Sequence, residues 1–283
     1  MQGSITGDAL FAQVVMQRQV DTRLCLLVEG DDELAILTGH VDDHAVFVLM
    51  GGGKPALLRA AALIDLRNYD RALALIDRDL DDFTGKASAY PPSLVATIGY
   101  DFDSDVLGAE PGLLRRAAVS QVGPATIKRI ENTCAAAFSD VIFALATSFA
   151  GLRLLNEEDA LGLNLRAFPF LDIVGSDFQL LPMERVLERA NERSAVTIAY
   201  ADVQSKIDSA QARVSTKKTS SCGHDIFGAT AAVLRKAGAN NASIVQIAAS
   251  VHTATSCLII SQLHIYRLIE AWAAQFSMRA FSC

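Results

Sequence analysis

Between Leu24 and Asp101 short apolar runs alternate with amphipathic stretches: LCLLVEG, DDELAILTGH, AVFVLMGGG, KPALLRAAALIDL, RALALIDRD and, after a polar interval, SLVATIGYD. Runs this short and this continuously apolar suit strands covered on both faces, which is how parallel sheets are buried. The pattern predicts β-α-β-α-β-β, an open, mainly parallel α/β sheet flanked by helices, over residues 1–112. Beyond Gly112 the period changes. SFAGLRLLNEED, LPMERVLERANER, TIAYADVQSKIDSAQARV, FGATAAVLRKAG and LIISQLHIYRLIEAWAAQF carry apolar residues at spacings of three and four, so residues 113–283 read as a mainly helical C-terminal domain. ENTC, GLNLRAFPF, VSTKKTSSCGHD and AGANNAS mark breaks, and Leu165 to Phe168 is the one place there for a short strand.

Composition supports a folded chain. With 283 residues, 51% of them apolar and a mean hydropathy of +0.27, there is material for a core and for a second unit. The most apolar stretch, Cys134 to Leu155, is interrupted by Asp140 and Arg153 and reads as a buried helix rather than a span. No basic region precedes the apolar segment near the start, so no membrane association and a cytoplasmic location are expected. Cys25, Cys134, Cys222, Cys257 and Cys283 are scattered and lack C-x-x-C spacing, which suits reduced thiols. A net charge of −7 offers no global attraction for nucleic acid, so a phosphate backbone has to be gripped by a local basic patch or through metal ions.

The candidate chemistry is acidic. Glu29, followed by Gly30, closes the first strand, and Asp77 closes the third within IDRDLDD. Sites in open parallel sheets form outside the carboxyl ends of strands, so the two acids are expected to converge. In extended backbone Asp77 and Asp79 point to one face, where hard oxygen ligands can share Mg²⁺ or Mn²⁺. Asp32, Glu33, Asp81 and Asp82 are near enough in sequence to serve a second ion. The plainer alternative for IDRDLDD is a solvated acidic loop or a helix cap.

GGGK at Gly51 to Lys54 is not a Walker motif, because Val48 and Pro55 stand where that motif needs glycine and Ser or Thr. Its glycines, with Gly52 and Gly53 as candidate substrate contacts beside Gly30, let the loop pass close to the acids; Lys54 is a candidate phosphate contact and Pro55 starts a helix. Arg213, Lys217 and Lys218 form the best local basic cluster of the second half, with His224 close by, and are candidates for holding substrate backbone. Asp225 is read as the cap of the following helix. His40, His44, His252 and His264 lack metal-ligand spacing and read as structural or surface residues. No Ser or Cys has a partnered base in a known motif.

The series VEGDDE (Val28 to Glu33), GGGK (Gly51 to Lys54) and IDRDLD (Ile76 to Asp81) resembles the Toprim domain of topoisomerases, primases and overcoming-lysogenization-defect nucleases. The resemblance implies that Glu29 acts as acid/base or metal ligand and that Asp77 and Asp79 hold Mg²⁺. Glu33 matches the second acid of the nuclease branch and tilts the expectation towards hydrolysis. IGYDFDSDVL, GLRLLNEED and CGHDIF extend the similarity to a bacterial Toprim-like family that includes the nuclease subunit of the PARIS anti-phage system. DFDSD departs from that family's usual aspartate-hydrophobe-glutamate form, which weakens Asp103 and Asp105 as site members.

The expectation is therefore a Mg²⁺- or Mn²⁺-dependent endonuclease of DNA or RNA, an anti-phage effector with a separately encoded ATPase partner and an oligomeric state left open, a homo-oligomer included. The rivals are a catalytically silent scaffold or nucleic-acid-binding subunit of the same fold and a primase-type nucleotidyl transferase.

Overall fold

The structure is a computed structural model that describes residues 5–216 and 219–283. It divides into two compact units, Met1–Ala109 with Thr255–Cys283, and Glu110–Ala254.

The first unit is an α/β layer structure. Its elements run α1 (Gly7–Gln17), β1 (Leu24–Val28), α2 (Asp31–Thr38), β2 (Val46–Met50), α3 (Lys54–Leu66), β3 (Ala72–Ile76), the short α4 (Asp81–Thr84), β4 (Leu94–Ala96) and α5 (Phe102–Ala109). The four strands are all parallel in the order β2-β1-β3-β4. Every residue of β1 and β3 is buried, as a strand covered on both faces requires. Cys25, Leu27, Ala72, Ala74 and Ile76 face Leu10 and Val14 of α1 and Leu57, Ala60, Ala61 and Ile64 of α3. The intervening Leu24, Leu26, Val28, Leu73 and Leu75 are buried as well. That double burial is why the strands read as unbroken apolar runs rather than alternating ones.

The segment after residue 254 returns to this sheet. It contributes the last two helices of the chain, α14 (Cys257–Ile260) and α15 (His264–Ala274). Val41 and Phe281 form an antiparallel bridge, Asp42 N–H donates to Ala280 O at 2.9 Å, and Trp272 Nε1 donates to Asp70 O at 3.0 Å. A single cut near Gly112 therefore misassigns the last segment, whose helical period says nothing about the partner it packs on. The stretch from Leu258 to Phe276 is also two helices, interrupted between Ile260 and His264, rather than one. Cys257 and Cys283 are joined by a disulfide, which corrects the reading of all five cysteines as thiols; Cys25, Cys134 and Cys222 are in no disulfide.

The second unit is helical: α6 (Gly112–Val122), α7 (Pro124–Cys134), α8 (Phe138–Glu158), α9 (Phe170–Ile173), α10 (Met183–Glu192), α11 (Tyr200–Val214), α12 (Gly223–Lys236) and α13 (Ile244–Ala254). α8 is its core and packs against α11 and α12. It is long and apolar enough to cross a membrane by length and composition, yet 67% of its most apolar window is buried inside the protein. A Cβ on Gly151 of α8 would lie 2.4 Å from the Gln211 side chain, so glycine is what admits α11 at this distance. Leu165 to Phe168 is not a strand. Ala167 has φ +45°, and Phe168 turns into a ring cluster with Phe149 and Phe170.

Candidate functional site

Strand order places the two principal acids side by side. The chain leaves β1 for β2 on one side and reaches β3 and β4 on the other, so the carboxyl ends of β1 and β3 form the switch point at which parallel sheets open a site. Glu29 follows the last residue of β1, and Asp77 follows the last residue of β3. The backbone N–H of Asp77 donates to Glu29 Oε2 at 3.4 Å, joining residues 48 positions apart.

The glycine loop runs along the same edge. Gly51 N–H donates to Val28 O and Gly53 N–H to Glu29 O, at 2.8 and 3.2 Å. Gly52 and Gly53 have φ of +74° and +103°, a left-handed backbone that L side chains rarely adopt. The turn delivers Lys54 to the start of α3 with Pro55 next to it, and the Lys54 amide supports the charged form of Glu29. Gly30 N–H donates to Glu33 Oε2 at 2.9 Å, so Glu33 closes the first turn of α2 and is itself buried, while Asp32 on the same turn is exposed.

Asp77 is tied to the loop after β4. Its Oδ1 accepts from Phe102 N–H at 3.1 Å, in the first turn of α5, where the free amides favour negative charge. Asp101 caps that turn: its Oδ1 accepts from Ser104 N–H at 2.8 Å, and its own N–H donates to Ser104 Oγ at 3.0 Å. Asp105 accepts from Ile98 N–H and Gly99 N–H at 2.9 and 2.6 Å, which makes it a brace of the loop.

The Asp77–Asp79 pair is not the extended one that its spacing suggests. β3 ends at Ile76 and Asp79 has φ +52°, because its N–H reaches across to Tyr100 O at 2.6 Å. The turn sends Asp79 to Lys54, whose Nζ donates to Asp79 Oδ2 at 2.7 Å, pairs with Asp81 Oδ2 at 2.7 Å and donates to Arg78 O at 3.2 Å. Those three partners account for the three donors of an ammonium group. Tyr90 Oη donates to the same Asp81 oxygen at 2.5 Å. Arg78 itself leans away, to Thr97 O and Asp82.

The electrostatics of the cluster are unfavourable. Burial first, then repulsion from Asp101, Glu33, Glu29 and Asp79, pushes the Asp77 carboxyl well above the usual range. Burial and then Asp79 raise Glu29, and burial raises Glu33. Burial works against the charge on Lys54, but Asp79 and Asp81 outweigh it and hold the amine protonated.

The donor set is hard oxygen from carboxylates that repel one another at the strand ends, which suits Mg²⁺ or Mn²⁺ held by one or two carboxylates with water and phosphate completing the shell. Glu29 and Asp77 fit that role. Asp79 and Asp81 are drawn to Lys54, and among the described residues no three of the acids bring ligand oxygens within 4.8 Å of one another. Asp32, Glu33 and Asp81 are therefore not gathered into a second cation site.

Sequence reasoning did not single out Asp101 or Tyr90. The signal for Asp101 was its place directly after the fourth apolar run, the same strand-end logic that selected Glu29 and Asp77. His224 is exposed on α12 in the second unit, and Arg213 pairs with Glu158 at 2.8 Å. Lys217 and Lys218 lie outside the described residues. Asp225 does not cap α12. It is buried and held by Arg153 Nε and Nη2 at 2.5 and 2.8 Å, while Cys222 occupies the cap position.

The fold and this cluster define a parallel α/β unit with buried carboxylates crowded at its strand-order switch. No protein-family model matches the chain, and no curated protein sequence matches it either.

Proposed function

We propose that the first unit is a Toprim-type acidic site and that the protein is a Mg²⁺- or Mn²⁺-dependent endonuclease cleaving phosphodiester bonds of DNA or RNA. The observation that carries the reading is the meeting of Glu29 and Asp77 at the switch point between β1 and β3, bridged by the 3.4 Å contact from Asp77 N–H. A bound divalent cation would neutralise the crowded carboxylates and polarise the scissile phosphate. Glu29 and Asp77 are its proposed protein ligands. Glu29, with a raised pKa, is also suited to take the proton of the attacking water. Lys54 is the proposed phosphate contact: an incoming phosphate competes with Asp79 and Asp81 for its ammonium group and releases Asp79 towards the cation. Use as an anti-phage effector in the cytoplasm, with a separately encoded ATPase partner, belongs to the same reading and rests on the motif resemblance alone.

The test is incubation of purified protein with plasmid, single-stranded DNA and total RNA in Mg²⁺, Mn²⁺ or chelator, alongside Glu29→Gln and Asp77→Ala. Cleavage that needs the cation and disappears in both variants supports the proposal. Cleavage unaffected by either substitution, or none when the ATPase partner and metal are both supplied, removes it.

A further inference from the structure

His40, Cys257 and Cys283 meet in the first unit although they are 217 and 243 residues apart. Two features of the backbone bring them together. His40 follows α2 by two residues, and its carbonyl accepts from Ser282 N–H at 2.9 Å, while Asp42 N–H donates to Ala280 O. This short antiparallel pairing sets Cys283 beside the imidazole. Cys257 arrives at the first position of α14, which packs on α5. The imidazole Nδ1 lies 3.6 Å from Cys257 Sγ and 3.7 Å from Cys283 Sγ, and none of the three residues is buried.

These distances are those of a transition-metal site. With Zn–S of about 2.3 Å and Zn–N of about 2.0–2.1 Å at tetrahedral angles, nitrogen and sulfur ligands of one zinc ion stand about 3.6 Å apart. Both sulfur to nitrogen separations already have this value. The one change needed is cleavage of the S–S bond, after which the sulfurs separate to about 3.8 Å by the same geometry. Two thiolates and an imidazole are soft and borderline ligands that select Zn²⁺ and related ions over Mg²⁺, so the site is chemically distinct from the carboxylate cluster.

We propose that His40, Cys257 and Cys283 form a redox-gated Zn²⁺ site, closed as a disulfide and opened as a dithiol that binds the ion through two sulfurs and Nδ1, with water as fourth ligand. A small dithiol supplies two electrons and two protons to the S–S bond and becomes a disulfide itself. Zn²⁺ then displaces both thiol protons into solvent. An oxidant of the disulfide class reverses the step and expels the ion. The disulfide closes residues 257–283 on themselves, whereas the ion would also tie them to His40 just after α2; the backbone pairing of Ser282 and Ala280 with His40 and Asp42 serves both states.

The test uses Co²⁺ as a spectroscopic probe and Zn²⁺ as competitor on the full chain, oxidised or reduced under anaerobic conditions. The expected result is one equivalent of Co²⁺ bound by reduced protein, with intense tetrahedral bands and thiolate charge transfer that Zn²⁺ abolishes. Oxidised protein is the same folded chain and should lack these bands. Oxygen-ligated Co²⁺ at the acidic cluster gives no thiolate charge transfer, so failure of the nuclease reading leaves this readout intact. Cys257→Ser with Cys283→Ser should remove the signal although Cys25, Cys134 and Cys222 remain. His40→Ala should weaken Zn²⁺ binding by more than about tenfold, since even outer partners of metal ligands are worth about 10–100-fold. Equal binding by oxidised and reduced protein, or undiminished affinity in His40→Ala, overturns the proposal and leaves a structural disulfide.

Discussion

Two buried aspartates show how differently one protein can treat the same charge. Asp225 in the second unit faces a single guanidinium, and Arg153 meets it with two hydrogen bonds and adds a third to Leu165 O. Asp77 in the first unit faces Asp101, Glu33, Glu29 and Asp79, and Lys54 beside them is occupied by Asp79 and Asp81. The first arrangement is complete within the chain and ties α8 to α12. The second is held against its own repulsion by backbone amides and a helix end. Under the proposed function a divalent cation would supply the positive charge that this cluster lacks.

Substitutions can break or sharpen this contrast. The largest effect is expected at the crowded site: Glu29→Gln lowers the cleavage rate by about 10²–10⁴-fold, the usual worth of a positioned acid or base, measured in single-turnover reactions with Mg²⁺. Next comes the paired site. Arg153→Ala strands a buried carboxylate and costs about 3–5 kcal/mol in urea unfolding, whereas Arg153→Met with Asp225→Leu costs much less because both charges leave together. If the single and double variants unfold alike, the pair is not the brace described here.

A smaller loss, about 1.5 kcal/mol, is expected for Tyr90→Phe, which removes the phenol from Asp81. Here the denaturant midpoint should fall with little change in cleavage rate.

The smallest effect has the opposite sign. The Asp77 pKa is raised in the fold, so its charged form destabilises the metal-free protein as pH climbs from the unfolded value of about 3.9 through the folded one. Asp77→Asn should therefore raise Tm at neutral pH by about 2–4 °C, the shift that goes with about 1 kcal/mol, and the gain should vanish below that unfolded value. Mg²⁺ should raise the Tm of the unsubstituted protein and leave Asp77→Asn unmoved. A lower Tm for Asp77→Asn in chelator would remove the repulsion argument.

The acid cluster is partly legible in the sequence. Strand-end position alone selected Glu29 and Asp77, because carboxyl ends of parallel strands share one edge whatever the order of the strands. It did not reveal that Asp79 turns back to Lys54, since a residue spacing carries no φ angle, and only the reach of Asp79 N–H to Tyr100 O sets that turn. Asp225 looked like a cap because it opens a helix; its true partner, Arg153, is 72 residues away.

Local pattern by itself determined the apolar strands, the change of period near Gly112 and the glycines of the GGGK turn, because burial on two faces, helical repeat and left-handed backbone each leave a mark on consecutive residues. Tertiary structure decided the strand order that makes β1 and β3 neighbours, the return of residues 255–283 to the first unit, and the meeting of His40 with Cys257 and Cys283. Such meetings depend on which surfaces exclude water together, and that is settled by the packing of the folded chain rather than by the spacing of residues along it.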